Sequence, residues 1–129
     1  MIDETLELIQ SAVPGVTVYD GITPQQEADL PNRYVVLYPD TPVATAGDVG
    51  VTANGDDFSF QVTCVAIDGN DQSWRARWLA GRIRDKLKQS RASPTSGKYR
   101  HVSSSPAARD EQVISRRAVV TMDRYRVRR

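Results

Sequence analysis

The stretch from Asp57 to Ile67 constrains the fold more than any other part of the chain. Phe58, Phe60, Val62, Cys64 and Ala66 alternate with Ser59, Gln61 and Thr63, so an extended segment would be apolar on one side and polar on the other until Val65 and Ile67. A period of two is the signature of a half-buried β-strand, because successive side chains point to opposite faces. Such a strand needs partners along its edges and a layer packed on its apolar face.

The neighbouring segments supply candidates for both. Ile2, Leu6, Ile9 and Val13 recur at helical spacing, with Asp3, Glu4 and Glu7 in the first turns, where acids complement the helix dipole. That helix ends at Pro14-Gly15. Val16 to Tyr19 reads as a short strand closed by Asp20-Gly21, and Arg33 to Tyr38 as a strand buried on both faces. Between Asp40 and Asp56 neither periodicity persists, and an ordered loop of that length usually has a task.

After the turn at Asp68 to Asp71, with Asn70, Asp71 or Ser73 as N-cap, a helix is expected to about Gln89. At 100° per residue Ala76, Leu79, Ala80, Ile83 and Leu87 form one stripe, and Trp74, Trp78, Gly81 and Asp85 lie opposite it. Lys98 to Ser104 and Glu111 to Val127 read as two strands, joined by a turn at Ser105 to Asp110 into an antiparallel hairpin. The expected architecture is therefore α+β: one domain over 1–129 with a long loop at 40–56, and a mixed or antiparallel sheet of about five strands. Two helices pack on one face, in the order α-β-β-β-α-β-β.

Composition narrows the function. With 17 Lys and Arg against 16 Asp and Glu, the net charge of +1 argues against a dedicated nucleic-acid binder or a polybasic membrane anchor. The sum conceals an asymmetry: residues 1–64 hold ten acids and one base, whereas residues 65–129 hold six acids and sixteen bases. The chain is a charge dipole along its sequence, and the strand order decides whether it is one in space. The acidic start lacks the pattern of a signal peptide, and no apolar run approaches the roughly 20 residues of a membrane span, so folding in a reducing cytoplasm is expected.

Catalytic and metal chemistry find little support. Cys64 is the one cysteine and His101 the one histidine, which excludes an intrachain disulfide, multi-thiolate sites and paired-histidine metal sites. His101 precedes Ser103, Ser104 and Ser105, but no nucleophile elbow accompanies them, and a solvated strand histidine is the expectation. Asp48, Asp56 and Asp57 lack the ligand spacing of a calcium loop, and Gly47, Gly50 and Gly55 lack a phosphate-loop lysine.

Trp74 and Trp78 are the sharpest surface feature. They pack against the N-terminal helix or anchor a subunit interface, with Arg75, Arg77 and Arg82 as a polar rim. The terminal Arg124-Tyr125-Arg126-Val127-Arg128-Arg129 reads as an edge strand or a protein contact, ahead of nucleic-acid binding.

The full layout resembles the tail terminator proteins of long-tailed bacteriophages, also called tail-to-head joining or tail completion proteins. The segments that carry the likeness are Val16 to Gly21, Pro31 to Leu37, the long loop, the alternating strand, the Arg-rich helix and the C-terminal hairpin. The resemblance implies a non-enzymatic virion protein without cofactor, made in the host cytoplasm. It would form a hexameric ring on the tail-tube protein, end tube polymerisation and present a face to the head-side connector. Double-stranded DNA would pass through its channel without specific binding, and no membrane is involved. In that setting Trp74, Trp78, Arg75, Arg77, Arg82, Arg124 and Arg126 are the candidate subunit interface. Asp40, Asp48, Asp56 and Asp57 are candidates for tube contact or channel lining. A head-completion stopper, a tail-tube subunit and a small nucleic-acid-binding adaptor are the alternatives.

Overall fold

The computed structural model describes residues 2–21, 31–40, 57–67, 72–91, 93–94, 96–109 and 118–128. Within them the chain runs α1 (Ile2–Ala12), β1 (Thr17–Asp20), β2 (Arg33–Pro39), β3 (Asp57–Ile67), α2 (Gln72–Lys88), β4 (Arg100–Ser104), β5 (Ala108–Arg109) and β6 (Ala118–Arg128). This is the α+β arrangement expected, two helices with one mixed sheet of five main strands, in the order β1-β2-β3-β6-β4. The sixth strand, β5, is two residues long and pairs with β6 beyond the end of β4.

β3 is paired along its whole length with β6, from Asp57 opposite Arg128 to Ile67 opposite Ala118. On its other side it pairs antiparallel with β2, and β1 lies parallel to β2. The alternation read in the sequence sets its facing. Phe58, Phe60, Val62 and Cys64 join Val35 and Leu37 of β2, Tyr125 and Val127 of β6, and Tyr99 in a core covered by both helices. α1 contributes Ile9 and Ala12 to that core, followed by Val13, and α2 contributes Leu79, Ala80, Ile83 and Leu87. A buried hydrogen bond of 2.8 Å between Thr5 Oγ1 and the Tyr99 hydroxyl ties α1 to the approach to β4.

The opposite face of the sheet is divided. At one end Tyr34, Val36, Val65, Ile67 and Ala118 form a second buried apolar cluster. At the other end the outward positions are Tyr38, Ser59, Gln61, Arg124, Arg126, Arg128 and Arg100.

One turn explains the connection from α1 to β1. Val13-Pro14-Gly15-Val16 closes with Val16 N–H donating to the Val13 carbonyl at 3.1 Å, and Gly15 has φ of 82°. Pro at the second and a positive-φ glycine at the third position define a type II turn, so the helix stops at Ala12 and the chain re-enters as β1.

The segment Ser105 to Asp110 differs from the turn expected. Ala108 and Arg109 pair with Val120 and Val119, so β4 and β5 follow the same edge of β6. Their registers are offset by one residue around Ser105–Ala107, and a further bulge falls between His101 and Ser103. The proposed N-caps Asn70 and Asp71, the loop at 41–56 and the start of the final strand at 111–117 lie outside the described residues.

The strand order answers the charge question. β1, β2 and most of β3 come from the acidic half and lie together; β6 and β4 come from the basic half and lie together. No strand of one half is inserted into the other, so the two halves of the sequence occupy opposite sides of the sheet, with the Arg-rich α2 packed over β3 and β6.

Candidate interaction surfaces

The outer stripe of α2 is open. Trp74 and Trp78 are 58% and 41% exposed, which removes the reading that either packs as a core residue. Spaced four residues apart on one helix face, their rings stack with centroids 6.5 Å apart and planes at 21°. The Arg82 guanidinium carbon sits 5.4 Å from the Trp78 ring centroid, a cation–π contact that extends the patch by one turn. Arg82 Nε also donates to the Ala12 carbonyl at 3.4 Å, so it links the aromatic pair to the C-terminus of α1.

The remaining expected interface residues do not share that patch. Arg75 is half-buried on the Arg82 flank, while Arg77 lines a cleft on the other flank. Arg124 and Arg126 project from the sheet face away from the helices, since Asp123, Tyr125 and Val127 are the buried positions of β6. The single interface of seven residues is thus two surfaces on opposite sides of the sheet.

β6 is also not an edge strand. It lies between β3 and β4, so its alternating arginines do not protect an edge. Of the acidic candidates, Asp40 is described and forms an ion pair of 2.5 Å with Arg124. Asp57 opens β3 opposite Arg128. Asp48 and Asp56 lie outside the described residues.

The cleft beside α2, about 270 Å³, is lined by Arg77, Gly81, Arg84, Ser104, Pro106 and Asp123, among others. Asp123 is 3% exposed yet carries a carboxylate, and its environment explains why it is tolerated. Ser104 donates to Asp123 Oδ1 at 2.5 Å, and Arg84 Nη2 reaches both carboxylate oxygens at 3.4 Å. Burial opposes the charge on Arg84, but the Asp123 carboxylate outweighs it and holds the guanidinium pKa above its ordinary value.

His101 belongs to this cluster, which corrects the expectation of a solvated strand residue. Its Nε2 lies 2.7 Å from Ser104 Oγ and 3.5 Å from Asp123 Oδ1. Serine and carboxylate therefore address the same ring nitrogen, whereas a nucleophile relay places them on opposite nitrogens. With the hydroxyl proton given to Asp123, His101 donates to Ser104. The arrangement holds a buried charge and does not activate the serine. Sequence reading missed it because Arg84, His101, Ser104 and Asp123 meet only once β4 is bulged against β6 beneath α2.

Cys64 is fully buried; desolvation and the nearby Asp123 charge push its thiol well above the ordinary range. Among the described residues no group of three or more His, Cys, Asp or Glu could hold a metal ion, and no helix is long and apolar enough to cross a membrane. No protein-family model matches the chain, and no curated protein is similar to it.

Proposed function

We propose that this chain is a non-enzymatic joint protein of a bacteriophage virion, a subunit that forms a ring, hexameric in the family it resembles, on the end of the tail tube. In this role it would stop tube polymerisation and receive the head-side connector. The exposed Trp74–Trp78 stack carries the reading. Two tryptophans left in water on a helix whose opposite stripe fills the core are costly for an isolated domain and suited to an interface anchor.

The charge arrangement supports the same reading. A ring needs a heterologous contact, one patch meeting a different patch on the next copy. Arg82 beside the tryptophans offers a cationic rim, and the exposed Asp3 and Glu7 of α1 and Asp20 of β1 offer acids on the β1 side of the molecule. Copies arranged head to tail would bring these unlike surfaces together, while like surfaces would repel.

Native mass spectrometry of the protein alone and with tail-tube protein tests this. A ring that forms, or forms only on the tube, and that is lost in Trp74→Ala and Trp78→Ala supports the reading. A monomer under both conditions overturns it. Electron microscopy separates the neighbouring roles, because a tube subunit stacks into long polymers and a terminator does not.

A further inference from the structure

We infer that the polar end of the open sheet face is a binding surface for the phosphodiester backbone of nucleic acid, with Arg100, Arg126 and Arg128 as its phosphate ligands. The inference rests on side chains of β4 and β6 and stands whether or not the chain forms rings.

Arg126 and Arg128 are exposed on alternate positions of one strand, spaced about 6.8 Å apart by strand geometry. Arg100 is directly opposite Arg126 on the neighbouring strand and is also exposed. A like-charged pair directly across two strands destabilises a sheet. Among the described residues none of the three has an ion-pair partner. Arg124, next in the row, is different, because Asp40 neutralises it. The described surface thus holds a like-charged Arg100–Arg126 pair, with Arg128 beside it opposite Asp57 in the register, a position that favours a bound anion. Position within the sheet excludes edge protection for Arg126 and Arg128, because β6 is paired on both sides, whereas Arg100 stands on β4, the outermost strand.

Several features favour nucleic acid over an acidic protein. Protein interfaces need an apolar centre, and the apolar residues of this sheet face are already buried at its other end. Around the arginines stand Ser59, Gln61 and Ser103, groups that donate to phosphate and sugar oxygens without reading bases. Tyr38, 40% exposed and in the same cross-strand row as Gln61 and Arg124, adds an aromatic surface at the margin. Tyr125, which the sequence placed among the arginines, faces the core and takes no part. The net charge of +1 is no obstacle, because it sums the whole chain, whereas a phosphate responds to the local cluster of arginines.

The test is fluorescence anisotropy with a short labelled oligonucleotide of arbitrary sequence, single-stranded and as a duplex, using the full chain. Three phosphate contacts give a duplex affinity that falls roughly 40-fold between about 50 and 200 mM salt. Arg100→Gln/Arg126→Gln/Arg128→Gln should abolish binding with unchanged thermal unfolding. Were that variant to misfold, Arg126→Gln and Arg128→Gln singly should each lower the salt slope by about one phosphate. No binding at low salt, binding retained in the folded triple variant, unchanged slopes in the single variants, or polyglutamate of equal charge binding as tightly as DNA would each overturn the proposal. Loss of ring formation by Trp74→Ala with DNA binding intact would show that the two surfaces act separately.

Discussion

Arg124 of β6 and Asp40 at the end of β2 meet at 2.5 Å on the open face of the sheet, across the intervening β3. The pair joins the base-rich and acid-rich halves of one chain and silences one of four arginines in the row. Both side chains are more than two-fifths exposed, so the pair contributes less than about 1 kcal/mol to stability. Asp40→Asn should leave the urea midpoint nearly unchanged and steepen the salt dependence of oligonucleotide binding by about one phosphate.

Asp123→Ala should be far more damaging. It removes the acceptor of Ser104 and the counter-charge of Arg84 in a site that is 3% exposed. Arg84 keeps a third of its side chain accessible, so the loss should fall near about 2–3 kcal/mol, below that of a fully buried pair. Urea unfolding of the variant against the wild type measures it.

Thr5 and Tyr99 form a buried hydroxyl pair, which makes them suited to a double-mutant cycle. Thr5→Val and Tyr99→Phe should each cost about 1–3 kcal/mol, because each strands the partner's polar group. The double variant should cost less than the sum of the two.

Trp74→Ala and Trp78→Ala should change the stability of the isolated domain by less than about 1 kcal/mol, whereas Leu79→Ala or Ile83→Ala should cost about 2–5 kcal/mol. A loss at the tryptophans as large as at Leu79 would mean that the aromatic pair is structural and the interface reading fails.

Stability should fall on the alkaline side. Burial holds Cys64 above its ordinary 9.0 and both Tyr99 and Tyr125 above 10.0. Above those ordinary values the unfolded chain releases protons that the folded chain keeps, so stability is fully present below about pH 9 and is lost as pH rises. Cys64→Ala should lower stability at every pH yet flatten the decline that begins near pH 9. Equilibrium unfolding across pH 7 to about 11 would show both effects.

Much of this architecture was legible because its determinants are local. The alternation at Phe58 to Cys64 and the stripe Ala76, Leu79, Ile83 and Leu87 each report a face, and those faces form the core. The strand order was not legible. No local signal says that β6 enters between β3 and β4, and this one fact moves Arg124 and Arg126 away from the tryptophans and off any edge. The Asp123 cluster was hidden for the same reason, since its members are scattered along the sequence and meet through a bulged register. Exposure of Trp74 and Trp78 was one of two open readings, because a helical wheel shows that a second apolar face exists but not what stands opposite it.

The central position of β6 also governs how the molecule is made. β3 leaves the ribosome long before β6, its full-length partner, and until then one side of its most apolar segment has no strand beside it. Folding must wait for a pairing between distant parts of the chain, a slow step that exposes a sticky edge to other nascent chains. Soluble yield should therefore respond to translation speed and to chaperone supply more than the modest size of the domain would suggest.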